Sequence, residues 1–443
     1  MTVLFDLGDI RHCSLDKESQ RLLLPPARKG KSGVMKKKVS FPKEKMKIVL
    51  LESIHPVAAE VFKEAGYNAE IVAGAWSEEE LATKLSSVHV LGIRSKTEVR
   101  SEVLSNAKSL MALGCFCIGT NQVDLVSGAK NGVPVFNAPF SNTRSVAELA
   151  IAEIIMLARK AAHKSQLLHQ GKWEKTATRC FEVRGKTLGI IGYGHIGQQV
   201  GVLAEAFGMK VLFYDISQKL PIGNSRQITK LHDLLGQCEF ITLHVPETAS
   251  TKDMISTREF AAMKQGSYLI NLSRGTVVDI PALKSALEQG RCEGAAIDVF
   301  PVEPQGNVAD FMVDLAGLPN VILTPHIGGS TDEAQYNIGI EVATSLIKFI
   351  ETGTTAGAVN FPQVDLPVVE DSHRILNIHR NVPGVLSSIN QIIAEVGANI
   401  RSQVLRTTDE AGYLIVDVDR DVSQQVKDRI DQLDTNIKTR LLF

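Results

Sequence analysis

The sequence predicts an α/β protein with two doubly wound parallel sheets and a smaller antiparallel unit of order βαββαβ. Two observations predict the parallel sheets. Short β-branched apolar runs alternate with amphipathic segments from Lys47 to about His169, and a second alternation runs from Lys186 to about Ile327. A third observation predicts the antiparallel unit, because the order of strand and helix patterns changes near the end of the chain. The length of 443 residues suits roughly two to four domains.

Composition and charge exclude several classes of protein. The 48 Lys and Arg residues balance the 49 Asp and Glu residues, so the formal net charge of −1 argues against a surface built wholly to bind polyanions. Apolar residues make up 44% and charged residues 22%, as in globular proteins. No apolar run approaches the ~18 residues that a membrane-spanning helix needs. We therefore expect neither a membrane segment nor a nucleic-acid partner.

The six cysteines are scattered through the chain without a CxxC pair. This pattern favours reduced thiols in a cytoplasmic protein, and we expect no disulfide framework and no metal site. The cysteines are Cys13, Cys115, Cys117, Cys180, Cys238 and Cys292.

The first 45 residues differ in composition from the rest. An acidic start is followed by three leucines, two prolines and a basic stretch from Arg28 to Lys45. We expect residues 1–45 to form a disordered basic tail, because such a segment cannot build a core. The order of charges does not resemble a secretory signal. A contact of the basic stretch with nucleic acid or an acidic partner is the alternative, and Met35 is a second candidate start.

The first alternation begins with a buried-strand run at 47–51, followed by a helix pattern at 56–65 and a strand pattern at 88–93. Apolar runs at 110–114 and 133–136 precede a long helix pattern from Arg144 to about His169. Such alternation implies a parallel sheet with helices on both faces.

A second set of patterns follows a helix that we expect from about Thr331 to Glu351. The Gly- and Thr-rich residues 352–357, followed by Pro362 and Pro367, predict a hinge or linker. Beyond it the order of strand, helix, strand, strand, helix, strand is that of the ferredoxin-like unit. The predicted segments are 373–378, 384–396, 399–406, 413–418, 422–433 and 437–442.

A glycine motif in the second alternation predicts a dinucleotide site. The strand run 186–191 leads into Gly192, Gly194 and Gly197, which permit a tight turn, approach of a pyrophosphate and close packing of a helix. The next strand ends at Asp215, whose carboxylate can bind the ribose hydroxyls and repel a 2′-phosphate. The motif therefore specifies NAD over NADP. A glycine-rich turn with an unrelated Asp is the alternative.

Three polar side chains lie at or after the ends of apolar strands, where open α/β sheets bind ligands: Arg274, Glu303 and His326. Oxidation of a 2-hydroxy acid needs a base for the hydroxyl proton, a carboxylate that stabilises the protonated base, and a cation for the substrate carboxylate. A histidine, a glutamate and an arginine fit these roles in turn. Taken singly, each also has a structural explanation as a loop cap, a solvated acid or a surface ion pair.

Longer runs resemble one enzyme family. They are residues 114–124, 136–148, the glycine motif, 273–283 and 324–331. On these motifs the chain from about Lys47 to Phe443 resembles the D-3-phosphoglycerate dehydrogenases, within the D-isomer-specific 2-hydroxyacid dehydrogenases. The resemblance implies NAD-dependent oxidation of D-3-phosphoglycerate to 3-phosphohydroxypyruvate, the entry to serine biosynthesis, with reduction of 2-oxoglutarate as a side activity. The alternative is the class of NAD-sensing transcriptional corepressors that resemble this fold, although a C-terminal regulatory unit does not suit them.

The resemblance also implies a domain organisation that the strand and helix patterns alone do not show. It places a discontinuous substrate-binding domain at 46–141 and 329–365, a Rossmann NAD-binding domain at 142–328 and an ACT regulatory domain at 371–443. It further implies a homotetramer built from contacts of the NAD-binding and ACT domains.

By resemblance, the catalytic residues are again Arg274, Glu303 and His326. The cofactor residues expected from the motif and the resemblance are Gly192, Gly194, His195, Ile196, Gly197, Asp215, Leu272, Ser273, Arg274, Asp298, His326, Ile327, Gly328 and Gly329. Arg94 is expected to contact the substrate phosphate, with Ser95 and Asn142 beside the substrate and Lys175 contributed by a neighbouring subunit. Cys115 and Cys117 are interpreted as packing residues, with a regulatory redox pair as the alternative.

The segment 378–386 resembles the effector-binding segment of ACT domains. In relatives of this architecture, a His and two Asn side chains hold L-serine across a domain dimer, and they correspond to His379, Asn381 and Asn399. The serine carboxylate can meet the helix N-terminus after Pro383, and its ammonium and hydroxyl groups can meet side-chain amides. Val382 stands where bacterial relatives often carry Arg. An ACT domain that serves only oligomerisation is the alternative.

Overall fold

The computed structural model of the protein describes residues 41–304 and 308–443. Most of the predicted tail, residues 1–40, lies outside these ranges. Its last residues do not, since Lys43–Lys45 form a 3-10 turn and the Lys43 ammonium donates to the Ala65 carbonyl at 2.8 Å. Lys43 also pairs with Glu351. The folded part of the chain therefore includes residues 41–45. Within the described ranges, no helix is long and apolar enough to cross a membrane.

The first sheet has five parallel strands in the order β2-β1-β3-β4-β5. Its central strands are fully buried apolar runs, as expected for a parallel sheet covered on both faces. The strands are β1 Ile48–Leu50, β2 Ala69–Ile71, β3 Val90–Ile93, β4 Ala112–Cys115 and β5 Val135–Phe136. The helices of this part are α1 Val57–Glu64, α2 Glu78–Lys84, α3 Ser101–Asn106 and α4 Leu125–Lys130.

The long helix predicted after Arg144 is two helices, α5 Thr143–Arg159 and α6 Ala161–His169. Between them Lys160 adopts a left-handed conformation with φ of 53°, which ends α5. The Lys160 ammonium donates to Glu293 at 2.9 Å, so a contact with a distant residue stabilises the break. The sequence did not predict the break, because Lys is a favourable residue inside helices.

The second sheet has seven parallel strands in the order β12-β11-β10-β9-β6-β7-β8. The chain order reverses between β6 and β9, and ligands of such sheets bind at the carboxyl ends of the strands near this point. The strands are β6 Thr187–Ile191, β7 Lys210–Tyr214, β8 Arg226–Gln227, β9 Phe240–Leu243, β10 Ser267–Asn271, β11 Cys292–Ile297 and β12 Val321–Leu323. The helices are α7 His195–Ala206, α8 Leu231–Leu235, α9 Thr257–Ala262 and α10 Ile280–Glu288.

After the second sheet the chain returns to the first through α11, Asp332–Thr352. Val342 and Leu346 of α11 pack on Gly114 of β4, and Ile338 belongs to the same buried core as the first sheet. Helix α5 packs against α7 in the core of the second sheet. The connections before α5 and before α11 are therefore the two places where the chain passes between the first two sheets.

The third sheet is antiparallel, in the order β14-β15-β13-β16, and the predicted βαββαβ order is confirmed. One face carries the helices, and the other packs Leu376, Ile378 and Tyr413 into the core of the first sheet. The elements are β13 His373–His379, α12 Val385–Val396, β14 Ile400–Thr407, β15 Gly412–Val418, α13 Ser423–Asp431 and β16 Asn436–Leu442. The predicted fold class is confirmed.

The predicted hinge at 352–367 is a packed linker. Thr355 is fully buried and donates to the Pro362 carbonyl at 2.6 Å. Side chains of the third sheet hold its start, since the Arg374 guanidinium donates to the Thr352 carbonyl at 2.9 Å and the Tyr413 hydroxyl to the Gly353 carbonyl at 2.5 Å. The carbonyl groups at the end of α11 are thus paired by a unit distant in sequence, which composition alone cannot show.

Candidate active site

The glycine motif forms the turn between β6 and α7. Gly192 has φ of 92°, and a Cβ atom there would overlap the His244 carbonyl oxygen. A Cβ atom on Gly197 would overlap the Gly192 carbonyl oxygen, whereas at Gly194 there is open space within 4 Å. The turn is therefore tightly packed at Gly192 and Gly197 and open at Gly194, which directly precedes α7. This shape fits a pyrophosphate group that approaches the backbone at Gly194.

Asp215 follows β7 directly. Its carboxylate accepts hydrogen bonds of 2.9 Å from the amides of Tyr193 and Ser217, and one of 2.9 Å from the Ser217 hydroxyl. Burial raises the pKa of Asp215, but the hydrogen bonds from Ser217 and Tyr193 outweigh burial and the pKa is lowered. The carboxylate is thus ionised beside the glycine turn, where it disfavours a 2′-phosphate.

His326 and Glu303 form a pair after the carboxyl ends of β12 and β11. The His326 Nδ1 atom lies 2.6 Å from Glu303 Oε2, and the Phe300 amide donates to Glu303 Oε1 at 2.9 Å. The histidine side chain is 51% exposed and the glutamate side chain 31%, so the second ring nitrogen can meet a small molecule. His326 has φ of 53°, and this left-handed conformation, which is strained for residues other than glycine, is found often at functional sites.

The contact between His326 and Glu303 shifts the pKa of both side chains. The hydrogen bond from Glu303 raises the pKa of His326, with further help from the charges of Glu303 and Asp298, against burial and the charge of Arg274. Burial raises the pKa of Glu303, but its hydrogen bonds with His326 and the Phe300 amide outweigh burial and the pKa is lowered. The glutamate is therefore ionised, and it stabilises a protonated histidine.

Asp298 holds the loop that carries His326. It is 1% exposed, and its carboxylate accepts from the Thr324 hydroxyl at 2.6 Å and from the amides of Ile327 and Gly328 at 2.8 and 2.9 Å. Its carbonyl oxygen accepts from the His326 amide at 2.8 Å. The residue expected to contact the cofactor is thus buried, and its oxygens fix the 324–328 loop. Sequence reasoning missed this support.

Arg274 follows β10 and reaches the same edge of the sheet. Its guanidinium donates to the Ser273 carbonyl at 2.7 Å, and the Asn271 amide group donates to the Arg274 carbonyl at 3.0 Å. Its positive charge lowers the pKa of both Glu303 and His326, so the three predicted catalytic side chains lie within electrostatic range of one another.

Arg94 approaches this group from the first sheet. Burial raises the pKa of Cys117 to about 11, while a hydrogen bond with Gln122 and the charges of Arg94 and Arg274 lower it. The two arginines therefore both lie within electrostatic range of one thiol. The raised pKa keeps Cys117 protonated, which supports its packing role rather than a reactive one.

The remaining predicted substrate residues lie in different surroundings. Ser95 is exposed next to Arg94, while Asn142 is 7% exposed and its Oδ1 atom has no hydrogen-bond partner among the described residues. Such an acceptor suits a polar ligand at the start of α5. Lys175 lies in the exposed segment between α6 and β6, near Trp173, whose side chain is 79% exposed.

The predicted effector residues lie at opposite ends of the third sheet. His379, at the end of β13, is opposite Gly412 of β15, which is opposite Thr407 of β14, whereas Asn399 immediately precedes the other end of β14. One chain therefore does not bring His379 and Asn399 together. Asn381 follows β13, is exposed, and donates to the Thr408 carbonyl at 2.8 Å.

A buried polar cluster that the sequence did not indicate supports His379. Its Nδ1 atom lies 2.8 Å from Asn377 Oδ1, and the Asn377 amide group donates to Asn436 at 2.9 Å and to Thr439 at 3.1 Å. His379 is 2% exposed, and burial lowers its pKa, so the ring is neutral near pH 7. Polar side chains at alternate positions of β13 were the only signal, and they resemble an ordinary exposed strand face.

Metal ligation has no candidate in residues 41–304 and 308–443, where no group of three His, Cys, Asp or Glu side chains could hold an ion. The five cysteines in these ranges are all unpaired.

Comparisons with known proteins agree on one family. Residues 151–328 match the family described as D-isomer specific 2-hydroxyacid dehydrogenase, NAD binding domain, and residues 375–438 match the AHAS small subunit-like ACT domain. The D-3-phosphoglycerate dehydrogenase of Dictyostelium discoideum is 53% identical over 404 residues, which are 91% of this chain and 99% of that protein. The enzyme of the same name from Escherichia coli K12 is 51% identical over 409 residues, 92% of this chain and 100% of that protein.

Solved structures resemble about two thirds of the chain or more. The D-lactate dehydrogenase of Aquifex aeolicus, complexed with NAD and lactic acid, is similar with a TM-score of 0.61 and 28% identity, over 71% of this chain and all of that one. A D-2-hydroxyisocaproate dehydrogenase is similar in fold with a TM-score of 0.63, over 71% of this chain and all of that one.

Proposed function

This chain belongs to the D-3-phosphoglycerate dehydrogenases, within the D-isomer-specific 2-hydroxyacid dehydrogenases, and from that premise we propose how its residues divide the reaction. The enzyme oxidises D-3-phosphoglycerate in serine biosynthesis, and the match of residues 151–328 to an NAD-binding domain confirms the expected cofactor. The observation that carries the proposed division of roles is the 2.6 Å contact of His326 with Glu303, within electrostatic range of Arg274.

In the proposed mechanism, His326 is the general base. Its free ring nitrogen takes the proton of the C2 hydroxyl group, and Glu303 stabilises the imidazolium that forms. Arg274 binds the substrate carboxylate, because a guanidinium can hold both of its oxygens. NAD, when bound, supplies the acceptor for the hydride that leaves C2. In the reverse direction the protonated His326 returns its proton to the oxygen of the 2-oxo acid.

The proposed cofactor residues are those of the glycine turn and of the sheet edge. The turn at Gly194 and the N-terminus of α7 would receive the pyrophosphate, and Asp215 the adenosine ribose. Leu272, Ser273 and the 326–329 loop would border the other end of the cofactor. The open space at Gly194 and the ionised Asp215 support this placement.

For the phosphate of the substrate we assign Arg94, with Ser95 beside it and Asn142 facing the rest of the substrate. The joint effect of Arg94 and Arg274 on Cys117 supports this assignment, because one cation would serve each end of a phosphorylated hydroxy acid. A second carboxylate could occupy the phosphate position, so reduction of 2-oxoglutarate is proposed as a side activity. Lys175 is proposed to act on the site of a neighbouring subunit.

We expect the pH dependence of the reaction to follow His326. Because Glu303 raises the pKa of His326 and the oxidation needs the neutral ring, kcat/KM for oxidation should rise with pH through a value above the ordinary histidine pKa of ~6.5. In Glu303→Gln this limb should move to lower pH, since the charge that stabilised the imidazolium is gone. The measurement is a pH profile of kcat/KM for wild type and variant. An unchanged limb in the variant would contradict the pairing.

NAD reduction by the purified protein with D-3-phosphoglycerate tests the proposed activity, with 3-phosphohydroxypyruvate plus NADH and 2-oxoglutarate plus NADH as companion assays. Turnover with the phosphorylated substrates supports the proposal. A protein that binds NADH but turns over neither phosphorylated substrate would favour a different hydroxy acid or the NAD-sensing corepressor class.

L-Serine is proposed as the effector of the ACT domain. Because His379 and Asn399 lie at opposite ends of the third sheet, one copy would supply His379 and Asn381 and a second copy Asn399. The Val382 side chain, 46% exposed, lies beside this position without a charge that could bind the serine carboxylate. The carboxylate is then left to the N-terminus of α12, which begins at Val385.

We expect Asn381→Ala to raise the serine concentration for half-inhibition by about tenfold or more, because an amide that binds a charged ligand is lost. Turnover without serine should stay within about twofold, since residue 381 lies outside the catalytic site. Inhibition of initial rates by serine measures the effect. Gln391→Ala, which removes an exposed amide on α12, is the control. Equal inhibition of wild type and Asn381→Ala would leave the domain with a role in assembly only.

A homotetramer is proposed from two kinds of contact. The ACT site needs two copies, and exposed apolar side chains lie on α5, α6 and α7 and in the segments that follow α6 and α7. They are Met156 at 37%, Leu168 at 56%, Trp173 at 79%, Val202 at 44% and Phe207 at 48%. Such side chains favour contact with another protein surface where they form a patch. The mass of the particle in solution tests the proposal.

The cytoplasmic location expected from the cysteines stays a prediction.

A further inference from the structure

We propose that Glu52 is a positioning residue, whose carboxylate shapes the loop 94–97 so that Arg94 is presented to the phosphate of the substrate. The inference rests on the role proposed above for Arg94. Glu52 lies two residues after the end of β1, and its carboxylate accepts from backbone amides, so neither the glycine motif nor the catalytic pattern indicated a role for it.

The side-chain hydrogen bonds of Glu52 all go to this loop. Its Oε1 atom accepts from the amides of Arg94 at 3.1 Å and Thr97 at 2.9 Å, and its Oε2 atom accepts from the amide of Lys96 at 2.9 Å. Glu52 is 7% exposed, so these are hydrogen bonds to a charge largely removed from water. Hydrogen bonds of this kind are among the stronger ones in proteins.

Three amides that converge on one point would otherwise form a binding site for an external anion. Here the carboxylate of the chain itself fills that place. The loop therefore has its shape before the substrate arrives, and the amides of Arg94, Lys96 and Thr97 are not available to the substrate phosphate. Three side chains of the loop are available to the phosphate: Ser95 and Lys96 are exposed, and Arg94 is half-buried.

A second contact holds the same peptide from its other end. The Gln122 amide group donates to the Arg94 carbonyl at 2.5 Å, and Gln122 is 9% exposed. The backbone carbonyl of Gln122 accepts from the amide of Val99 at 2.8 Å, and Val99 lies just after the loop 94–97. Both polar groups of the Arg94 backbone are thus fixed by buried side chains, which leaves the guanidinium as the movable part of the residue.

The backbone at Glu52 and Ser53 is strained where the Glu52 carboxylate turns toward the loop 94–97. Glu52 and Ser53 have φ of 60° and 51°, left-handed conformations that side chains other than glycine rarely adopt. The Glu52 amide donates to the Gly74 carbonyl at 3.1 Å and the Ser53 amide to the Val72 carbonyl at 3.2 Å. Such strain persists where the surroundings compensate for it, and it is common at functional sites.

The test variant is Glu52→Gln, in which a donor group replaces one acceptor oxygen and must face a backbone N–H. We expect KM for D-3-phosphoglycerate to rise about tenfold or more, with kcat within about threefold, because the loss falls on substrate binding. The Kd of NADH should not change. Glu64→Gln, which neutralises an exposed carboxylate on the neighbouring α1, is the matched control and should behave as wild type.

A second substrate separates positioning from general support of the fold. Hydroxypyruvate has the reacting atoms of the product but no phosphate, so Glu52→Gln should reduce it with NADH as well as the wild type does. An equal loss with both substrates, or an unchanged KM for D-3-phosphoglycerate, would overturn the inference. If Glu52→Gln does not fold, Gln122→Leu is the second test and should show the same selective rise in KM. An unchanged KM in Gln122→Leu would also overturn the inference. A wild type inactive on D-3-phosphoglycerate would instead overturn the proposed function.

Discussion

Replacement of His326 by Asn is expected to lower kcat between about 10²- and 10⁴-fold, the usual contribution of a general acid or base. Asn is preferred to Ala as the substitute because residue 326 has φ of 53°, a conformation that Asn tolerates well. The amide also retains a polar partner for Glu303, so loop geometry should persist while proton transfer is lost. Steady-state rates in both directions, with the Kd of NADH, measure the effect.

A matched control exists on the helices α8 and α9. His232 pairs with Glu259 at 3.1 Å, which copies the histidine–carboxylate pairing away from the predicted catalytic group. His232→Asn should leave kcat within about twofold, since it removes a partly exposed pair worth ~1 kcal/mol or less in stability. Turnover of His326→Asn close to that of the control would show that another group accepts the proton, and the assignment would then be wrong.

Replacement of Arg374 by Met is expected to produce the largest loss of stability, about 3–5 kcal/mol in the free energy of unfolding. Two nitrogens of the Arg374 guanidinium contact the Asp417 carboxylate at 2.7 and 2.9 Å, and the two side chains are 5% and 1% exposed. The guanidinium also donates to the carbonyls of Thr352, Leu366 and Pro367. The variant would bury an unpaired carboxylate and leave three carbonyl groups without a donor.

The double variant Arg374→Met with Asp417→Leu identifies the cause. Removal of both charges should recover part of the lost free energy, because the unpaired carboxylate is no longer buried. Arg420→Met is the control, since its pair with Asp371 joins side chains that are 54% and 86% exposed, and it should cost ~1 kcal/mol or less. Urea unfolding of the full chain measures these differences. Equal unfolding midpoints for Arg374→Met and Arg420→Met would contradict the argument.

Local sequence patterns predicted most elements because they depend on neighbours along the chain. Buried apolar runs identified the strands of the parallel sheets, and the order of patterns after residue 372 identified the antiparallel sheet. The glycine turn was predictable for the same reason, since strand, turn, helix and Asp215 follow one another directly. The helix break at Lys160 was not, because its partner Glu293 is remote in sequence.

The candidate site divides in the same way. Arg274, Glu303 and His326 could be proposed because each lies at or after the end of an apolar strand, and parallel strands bring such ends to one edge. Glu52 could not, since a single acidic residue after a strand carries no local pattern. Its meaning depends on three amides more than forty residues away, in another loop.

By itself, the sequence determined the three sheets, the cofactor motif, the three residues proposed for catalysis and the family, because these reside in short-range patterns and matching runs. Only the tertiary structure decided which buried polar groups support them. Asp298 under the His326 loop, Asn377 under His379 and Arg374 across the linker each act through partners distant in the chain. The physical reason is that a buried polar group must be paired, and folding rather than sequence proximity selects its partner.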